Sequence, residues 1–138
     1  MDFTFLHVGI SVRDLEKSTE WYARVFGFEC VKRFEKPALE VKGAVLQKGS
    51  LQLELLAPYL PGPDAFAGVP GVPDGTLVPR IRRMGSNHFA IVLAGGESGV
   101  AALHGKFKSE DLGWASELVD GRFFFCADPD GAMIEVRA

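Results

Sequence analysis

Apolar residues recur along the chain in short runs, and the order of these runs predicts regular elements. The run at 3–12 has the length and composition of a buried strand. Helical spacing of apolar residues follows, between Asp14, a side-chain cap, and Gly27, a glycine stop. Further apolar stretches predict three strands, at 28–34, 38–46 and 51–56, the last two joined by a turn at 48–50. The first half therefore predicts a strand, a helix and three strands.

The second half of the chain repeats this order. An apolar run at 87–93 predicts a strand, and 99–107 has helical spacing. Three more strands are predicted, at 114–119, 122–127 and 132–136, with a turn at 128–131 between the last two. The two halves together predict an internally duplicated α+β fold.

Residues 58–86, which separate the halves, have a different composition. Six of the eight prolines and five glycines lie in this segment, so it is expected to lack regular hydrogen bonding. It also carries more aromatic and aliphatic residues than a free linker would. We expect a lid over a substrate pocket, with a dimer-contact arm as the alternative.

A displacement of 81 residues superposes the two halves without a gap. His7 then falls on His88, and Glu54 falls on Glu135. Each histidine stands near the start of an apolar strand, and each glutamate lies between aliphatic residues late in a strand. The separation between histidine and glutamate is 47 residues in both halves.

These four residues are candidate ligands of a metal ion. Burial of an unpaired carboxylate costs several kcal/mol, roughly, so two buried glutamates at equivalent positions call for a partner. One divalent cation held by two imidazoles and two carboxylates would satisfy all four groups. The alternative is that they are polar tips of edge strands, in water. Glu40 is interpreted as an exposed strand residue, and His104 as a surface or packing histidine.

Composition and charge exclude several classes of function. The net charge is −3 and only 80–83 is locally basic, which disfavours nucleic-acid binding. No apolar run approaches the ~20 residues of a membrane span, so no membrane association is expected. Without an export signal, a cytoplasmic location is predicted, and Cys30 and Cys126 are interpreted as buried free thiols.

Four segments resemble the vicinal oxygen chelate superfamily, also called the glyoxalase/bleomycin-resistance/dioxygenase group. They are HVGISVRDLEKSTEWYARVFGFE, LQLELLAP, NHFAIVL and DPDGAMIEV, and together they span most of the chain. The resemblance implies a single α+β domain over 1–138. Its tandem βαβββ modules, at about 1–57 and 87–138, would form an incomplete barrel around a metal site.

The filled set of four ligands is similar to that of glyoxalase I and methylmalonyl-CoA epimerase. This implies a lyase or isomerase that moves a proton next to a metal-bound carbonyl of a small-molecule substrate, with Glu54 or Glu135 as the base. One divalent ion per site (Ni, Co, Zn, Mn or Fe) and a homodimer are also implied. Ser11 and Pro58 stand where glyoxalase I usually has arginine and asparagine, which argues against glutathione. The alternatives are an Fe(II)-dependent dioxygenase and a non-catalytic protein that binds an apolar ligand.

Overall fold

A computed structural model describes residues 4–59 and 88–138, which belong to two separate compact units. We call residues 4–59 the first unit and residues 88–138 the second unit. Of the predicted irregular segment at 58–86, only Pro58 and Tyr59 are among the described residues. The prediction of a lid there lies otherwise outside the described part of the chain.

The first unit has the predicted order of one strand, one helix and three strands. Its elements are β1 (Val8–Ser11), α1 (Leu15–Phe26), β2 (Glu29–Lys36), β3 (Val41–Lys48) and β4 (Leu51–Pro58). The sheet has the order β1-β4-β3-β2, in which β1 runs parallel to β4 and the other neighbours are antiparallel. This arrangement confirms the βαβββ module.

The second unit repeats the order with one strand fewer. Its elements are β5 (Phe89–Val92), α2 (Gly96–Ser109), β6 (Phe123–Ala127) and β7 (Met133–Arg137). The sheet has the order β5-β7-β6, and β5 runs parallel to β7. Both sheets are open, and the predicted α+β class is confirmed.

The strand predicted at 114–119 is wrong, because this segment makes only isolated bridges to β6. Ala115 is bridged to Cys126, and Val119 to Phe123. The hydroxyl of Ser116 accepts a hydrogen bond from the Phe125 N–H at 3.0 Å, beside the backbone bond from Ser116 N–H to Phe125 O. A side chain that competes for a backbone donor in this way interrupts a regular ladder.

Local capping signals fix the ends of α1. The Asp14 carboxylate accepts a hydrogen bond from the Lys17 N–H at 3.0 Å, as an N-cap residue does. Gly27 ends the helix in the left-handed conformation, with φ at 69°, and its N–H donates to Ala23 O. Both predicted helix boundaries are confirmed.

The two faces of each sheet differ in burial because strand side chains alternate. On β4, Leu53, Leu55 and Ala57 are buried on the face against which α1 packs, whereas Glu54 and Leu56 are half-buried on the other face. On β7, Ile134 and Val136 are likewise buried on the side of α2. Each unit therefore has a helix-covered face and a face that its own helix leaves open.

The duplication extends to the register of the parallel strands. Gly9 lies opposite Glu54 in the first unit, and Ala90 lies opposite Glu135 in the second. The backbone bond from Val12 N–H to Leu56 O likewise has its counterpart from Leu93 N–H to Arg137 O, and both measure 2.9 Å. The displacement of 81 residues therefore relates one pair of strands to the other residue for residue.

The middle strand departs from this displacement. Glu54 is opposite Val45 on β3, but Glu135 is opposite Phe125, one residue before the position that the displacement gives. The connections also differ: 49–50 join β3 to β4, and 128–132 join β6 to β7. The gap-free alignment of the halves is therefore corrected here by one residue.

Two smaller interpretations are also corrected. Cys30 is exposed because it lies on β2, an edge strand that is exposed along nearly its whole length, whereas Cys126 is buried as expected. Glu40 is exposed but belongs to the turn before β3, with φ at 52°. No helix among the described residues has the length and apolar character needed to cross a bilayer.

Candidate functional site

The first unit brings His7 and Glu54 together on its open face. His7 immediately precedes β1, and Glu54 lies midway along the adjacent β4. The Nε2 atom of His7 is 3.3 Å from Oε2 of Glu54. The two side chains are 34% and 17% exposed, so the carboxylate is largely shielded from water. The pairing follows from the register, which sets Gly9, two residues after His7, opposite Glu54.

The second unit brings His88 and Glu135 together in the same way. His88 immediately precedes β5, and its Nε2 atom is 3.1 Å from Oε2 of Glu135 on β7. The side chains are 32% and 13% exposed. The ring of Phe125 meets the His88 ring edge to face, with centroids 5.3 Å apart. An edge-to-face contact of this kind restricts the orientation of the imidazole.

Each pair is spaced as a direct hydrogen bond or ion pair, and the same spacing is compatible with two ligands of one divalent metal. Ligand atoms about 2.1 Å from one ion lie roughly 3.0–3.4 Å apart at tetrahedral or octahedral angles. The 3.3 Å and 3.1 Å separations of the two pairs agree with that range. Taken singly, neither unit brings a third histidine, cysteine or acidic side chain to its pair within the described residues. The union of the two pairs in one centre therefore stays a prediction.

Cations contact both glutamates, a feature that the sequence reasoning missed. Nζ of Lys36 lies 4.0 Å from Oε1 of Glu54, and Nη1 of Arg137 lies 3.3 Å from Oε1 of Glu135. The spacing Glu-x-Arg within a strand places both side chains on one face, so Arg137 had a signal in the sequence. Lys36 had none, because its approach depends on the order of strands in the sheet.

Two further reactive side chains have structural surroundings. His104 is buried on α2, with Nε2 2.9 Å from Ser116 O and its ring 5.1 Å from that of Phe124, as a packing histidine would be. Burial raises the pKa of the Cys126 thiol far above its usual range, and the charge of Asp128 acts in the same direction. Neither residue belongs to a His–Glu pair.

Comparisons with known proteins agree with this architecture. The sequence profile of the Glyoxalase/Bleomycin resistance protein/Dioxygenase superfamily matches residues 4–136. No curated protein sequence gives a significant match. Many solved structures do, and those described next are all under 25% identical, so that they establish the fold alone.

Three of the solved structures illustrate the range of relatives. The trypanothione-dependent glyoxalase I of Leishmania major is 24% identical, with a TM-score of 0.71, over 99% of this chain and 86% of that chain. A glyoxalase family protein from Enterococcus faecalis is 21% identical, with a TM-score of 0.67, over 98% and 97%. The fosfomycin resistance protein FosX of Listeria monocytogenes, solved with Mn(II) and a sulfate ion, is 15% identical, with a TM-score of 0.67, over 100% and 93%.

Proposed function

The chain belongs to the Glyoxalase/Bleomycin resistance protein/Dioxygenase superfamily, and from this membership we propose that it is a divalent-metal-dependent lyase or isomerase. The proposed substrate is a small molecule with a carbonyl group. The proposed ligands of the metal are His7, Glu54, His88 and Glu135. The observation that carries the proposal is the recurrence of one His–Glu pair, at the same strand register, in both units.

The two kinds of ligand have different tasks in this proposal. His7 and His88 bind through Nε2, the ring atom that faces the glutamate in each unit. The edge-to-face contact with Phe125 restricts the orientation of the His88 ring. When bound, a divalent ion supplies Lewis-acid polarisation of a carbonyl oxygen, which makes the neighbouring C–H more acidic.

A glutamate of the same set is the proposed base, and it would detach from the metal to accept the proton. Glu54 and Glu135 are 17% and 13% exposed, and a carboxylate shielded from water is a competent acceptor for a proton from carbon. The accepted proton is returned to the neighbouring carbon in an isomerisation. Either glutamate can serve, because both stand beside a histidine on an open face of a sheet.

The first experiment measures bound metal. The protein is purified without chelators or an affinity tag and analysed by elemental mass spectrometry beside His7→Ala, Glu54→Gln, His88→Ala and Glu135→Gln. Glu117→Gln is the control, because Glu117 is an exposed glutamate that pairs with a surface lysine. We expect stoichiometric metal in the wild type and in the control, and its loss in the other four. A wild type that holds no stoichiometric metal, even after reconstitution, overturns the proposal.

The second experiment measures the proton transfer. The metal-loaded protein is incubated in D₂O with 2-oxo compounds, 2-hydroxy compounds and thioesters, and proton NMR follows exchange next to the carbonyl. The expected result is metal-dependent exchange that both glutamine variants reduce even when saturating metal is added. Fe(II)-dependent oxygen uptake that survives Glu54→Gln would instead identify a dioxygenase. Tight binding of an apolar ligand without metal or turnover would identify a binding protein.

We also propose that two chains associate as a homodimer. In the first unit, the edge strand β2 is exposed along its length, and Val31 on it is 53% exposed. An exposed strand edge favours pairing with another chain. Light scattering should give the mass of two chains, and a monomer at micromolar concentration would contradict this part of the proposal.

A further inference from the structure

In each His–Glu pair, one carboxylate oxygen of the glutamate faces the histidine and the other faces a cationic side chain. In the first unit, Oε2 of Glu54 faces His7 at 3.3 Å, and Oε1 faces Nζ of Lys36 at 4.0 Å. In the second unit, Oε2 of Glu135 faces His88 at 3.1 Å, and Oε1 faces Nη1 of Arg137 at 3.3 Å. The same division of oxygens therefore occurs in both units.

The duplication does not explain this recurrence, because the two cations stand at different positions. Arg137 follows Glu135 by two residues on β7, whereas the equivalent residue on β4 is Leu56. Lys36 ends β2, a strand without a regular counterpart in the second unit. The two cationic side chains therefore come from non-equivalent positions in the two units. The feature that they share is their contact with the carboxylate.

The ammonium group of Lys36 has a second partner besides the carboxylate of Glu54. It lies 5.0 Å from the centroid of the Phe34 ring, within range of a cation–π interaction. Phe34 lies opposite Gly43 on β3, and a Cβ at Gly43 would press on that ring and lie 2.7 Å from Leu55 O. The absence of a side chain at Gly43 thus makes room for the ring that supports Lys36.

Burial distinguishes these contacts from ordinary surface ion pairs. The side chains of Lys36 and Arg137 are each 52% exposed, and an ion pair between two exposed groups contributes little. Their partners Glu54 and Glu135, however, are 17% and 13% exposed. A cation beside a shielded carboxylate restricts which oxygen remains available to a second partner.

We propose that Lys36 and Arg137 are positioning residues that limit each glutamate to a single oxygen donor toward the metal. This inference rests on the proposed function. Two imidazoles and two bidentate carboxylates would supply all six donors of an octahedral shell, whereas single-oxygen carboxylates leave two positions open. The carbonyl oxygen of the proposed substrate would bind at one of these open positions.

The test counts the open positions with Mn(II) as the probe. The Mn(II)-loaded protein is studied by water proton relaxation, which reports the exchangeable water on the ion. Arg137→Met removes both charge and hydrogen-bond donors, Arg137→Lys keeps the charge, and Arg122→Met is the control because Arg122 pairs with Glu97 on the surface at 3.1 Å. Loss of one of two open positions should lower the relaxation enhancement about twofold in Arg137→Met. Arg137→Lys should recover part of it, and the control should equal the wild type.

The first unit provides an independent version of the same test. Lys36→Met should lower the enhancement as well, by less than Arg137→Met, since its contact is longer. Arg33→Met is the control there, because Arg33 pairs with Glu16 on the surface at 2.7 Å. Circular dichroism establishes that each variant is folded.

The outcomes separate this inference from the proposed function. Wild-type protein that binds Mn(II), with unchanged enhancement in folded Arg137→Met and Lys36→Met, overturns the positioning role alone. Unchanged enhancement in whichever of the two variants folds also overturns it. Wild-type protein that binds neither Mn(II) nor another divalent metal overturns the proposed function, and the positioning role with it.

Discussion

The first unit builds its sheet from four strands and the second unit from three, and their hairpins differ in length and register. In both, nevertheless, a histidine just before the first strand meets a glutamate on the neighbouring parallel strand, at 3.3 Å and 3.1 Å. The element common to both is the parallel pair, β1 with β4 and β5 with β7. The comparison indicates that this pair of strands sets the geometry of the site, and that the outer strands can change.

The largest effect is expected from the buried neighbours of the two glutamates. Leu53 and Ile134 are equivalent residues, each fully buried beside its glutamate on the helix side of the sheet. Truncation to alanine should lower the free energy of unfolding by about 2–5 kcal/mol at each position, because it leaves a cavity. Urea denaturation followed by circular dichroism measures the loss.

The exposed Leu39, at 66%, provides the matched control, since Leu39→Ala removes the same atoms from a residue already in water. Similar losses for Leu53→Ala and Ile134→Ala would support an equivalent role for the parallel strand pair in the two units. A loss below about 1 kcal/mol at only one of them would contradict that equivalence, since one parallel pair would then tolerate a cavity that the other does not.

A smaller effect is expected at Gly43 on β3, which lies opposite Phe34 on β2, the strand that has no regular counterpart in the second unit. Gly43→Ala should cost about 1–3 kcal/mol, because the new Cβ meets the Phe34 ring and Leu55 O. Gly9→Ala is the control, as nothing lies within 4 Å of a Cβ there. If thermal unfolding finds the two variants equally stable, the outer strands contribute less to the stability of the first unit than their packing suggests.

Sequence patterns predicted those parts of the molecule whose cause is local. The ends of α1 follow from the carboxylate of Asp14 and the left-handed conformation of Gly27, both of which depend on nearby residues. The segment at 114–119 has the composition of a strand but makes only bridges, because Ser116 supplies a side-chain acceptor to β6. No periodicity of apolar residues encodes that competition.

In the candidate site, too, some features could be predicted from the sequence and others depend on the order of strands in the sheet. Equal spacing and aliphatic neighbours identified the two histidines and two glutamates as candidate ligands of one metal ion, which stays a prediction. Within each unit the histidine lies 3.3 Å or 3.1 Å from its glutamate. The contact of Lys36 with Glu54 joins strands that are not neighbours in the sheet, so it follows from the strand order β4-β3-β2 and could not be predicted from spacing. The exposure of Cys30 likewise depends on β2 being an edge strand.

The two helices allow a finer test of the comparison. In α1 the Asp14 side chain caps the first turn, whereas α2 begins after Gly95 without a side-chain cap. Asp14→Ala should lower the unfolding free energy by about 1 kcal/mol, since the Lys17 N–H loses its acceptor. Asp14→Ser, which keeps an acceptor, should recover most of the loss in a chemical denaturation experiment. Equal stability of Asp14→Ala and wild type would contradict a stabilising cap.

The smallest effect concerns reactivity and leaves stability unchanged. The exposed Cys30 should react with a maleimide in the native protein, and Cys126 should not. Burial raises the pKa of Cys126, so raising the pH from about 7 to 9 should leave its thiol protonated and unreactive. Peptide mass spectrometry identifies the labelled residue, with Cys30→Ser as the control. Labelling of native Cys126 at a rate similar to Cys30 would contradict its burial.

The parallel pairing of β1 with β4 also has a consequence for how the chain can change in length during evolution. Side chains alternate between faces, so inserting one residue between the start of β4 and Glu54 would move that glutamate to the face covered by α1. The connections are free of this parity rule: 49–50 and 128–132 differ in length, yet both are followed by a strand that places its glutamate correctly. Insertions and deletions in descendants of this chain are therefore expected to accumulate in its turns and outer strands, while β4 and β7 change by substitution alone before their glutamates.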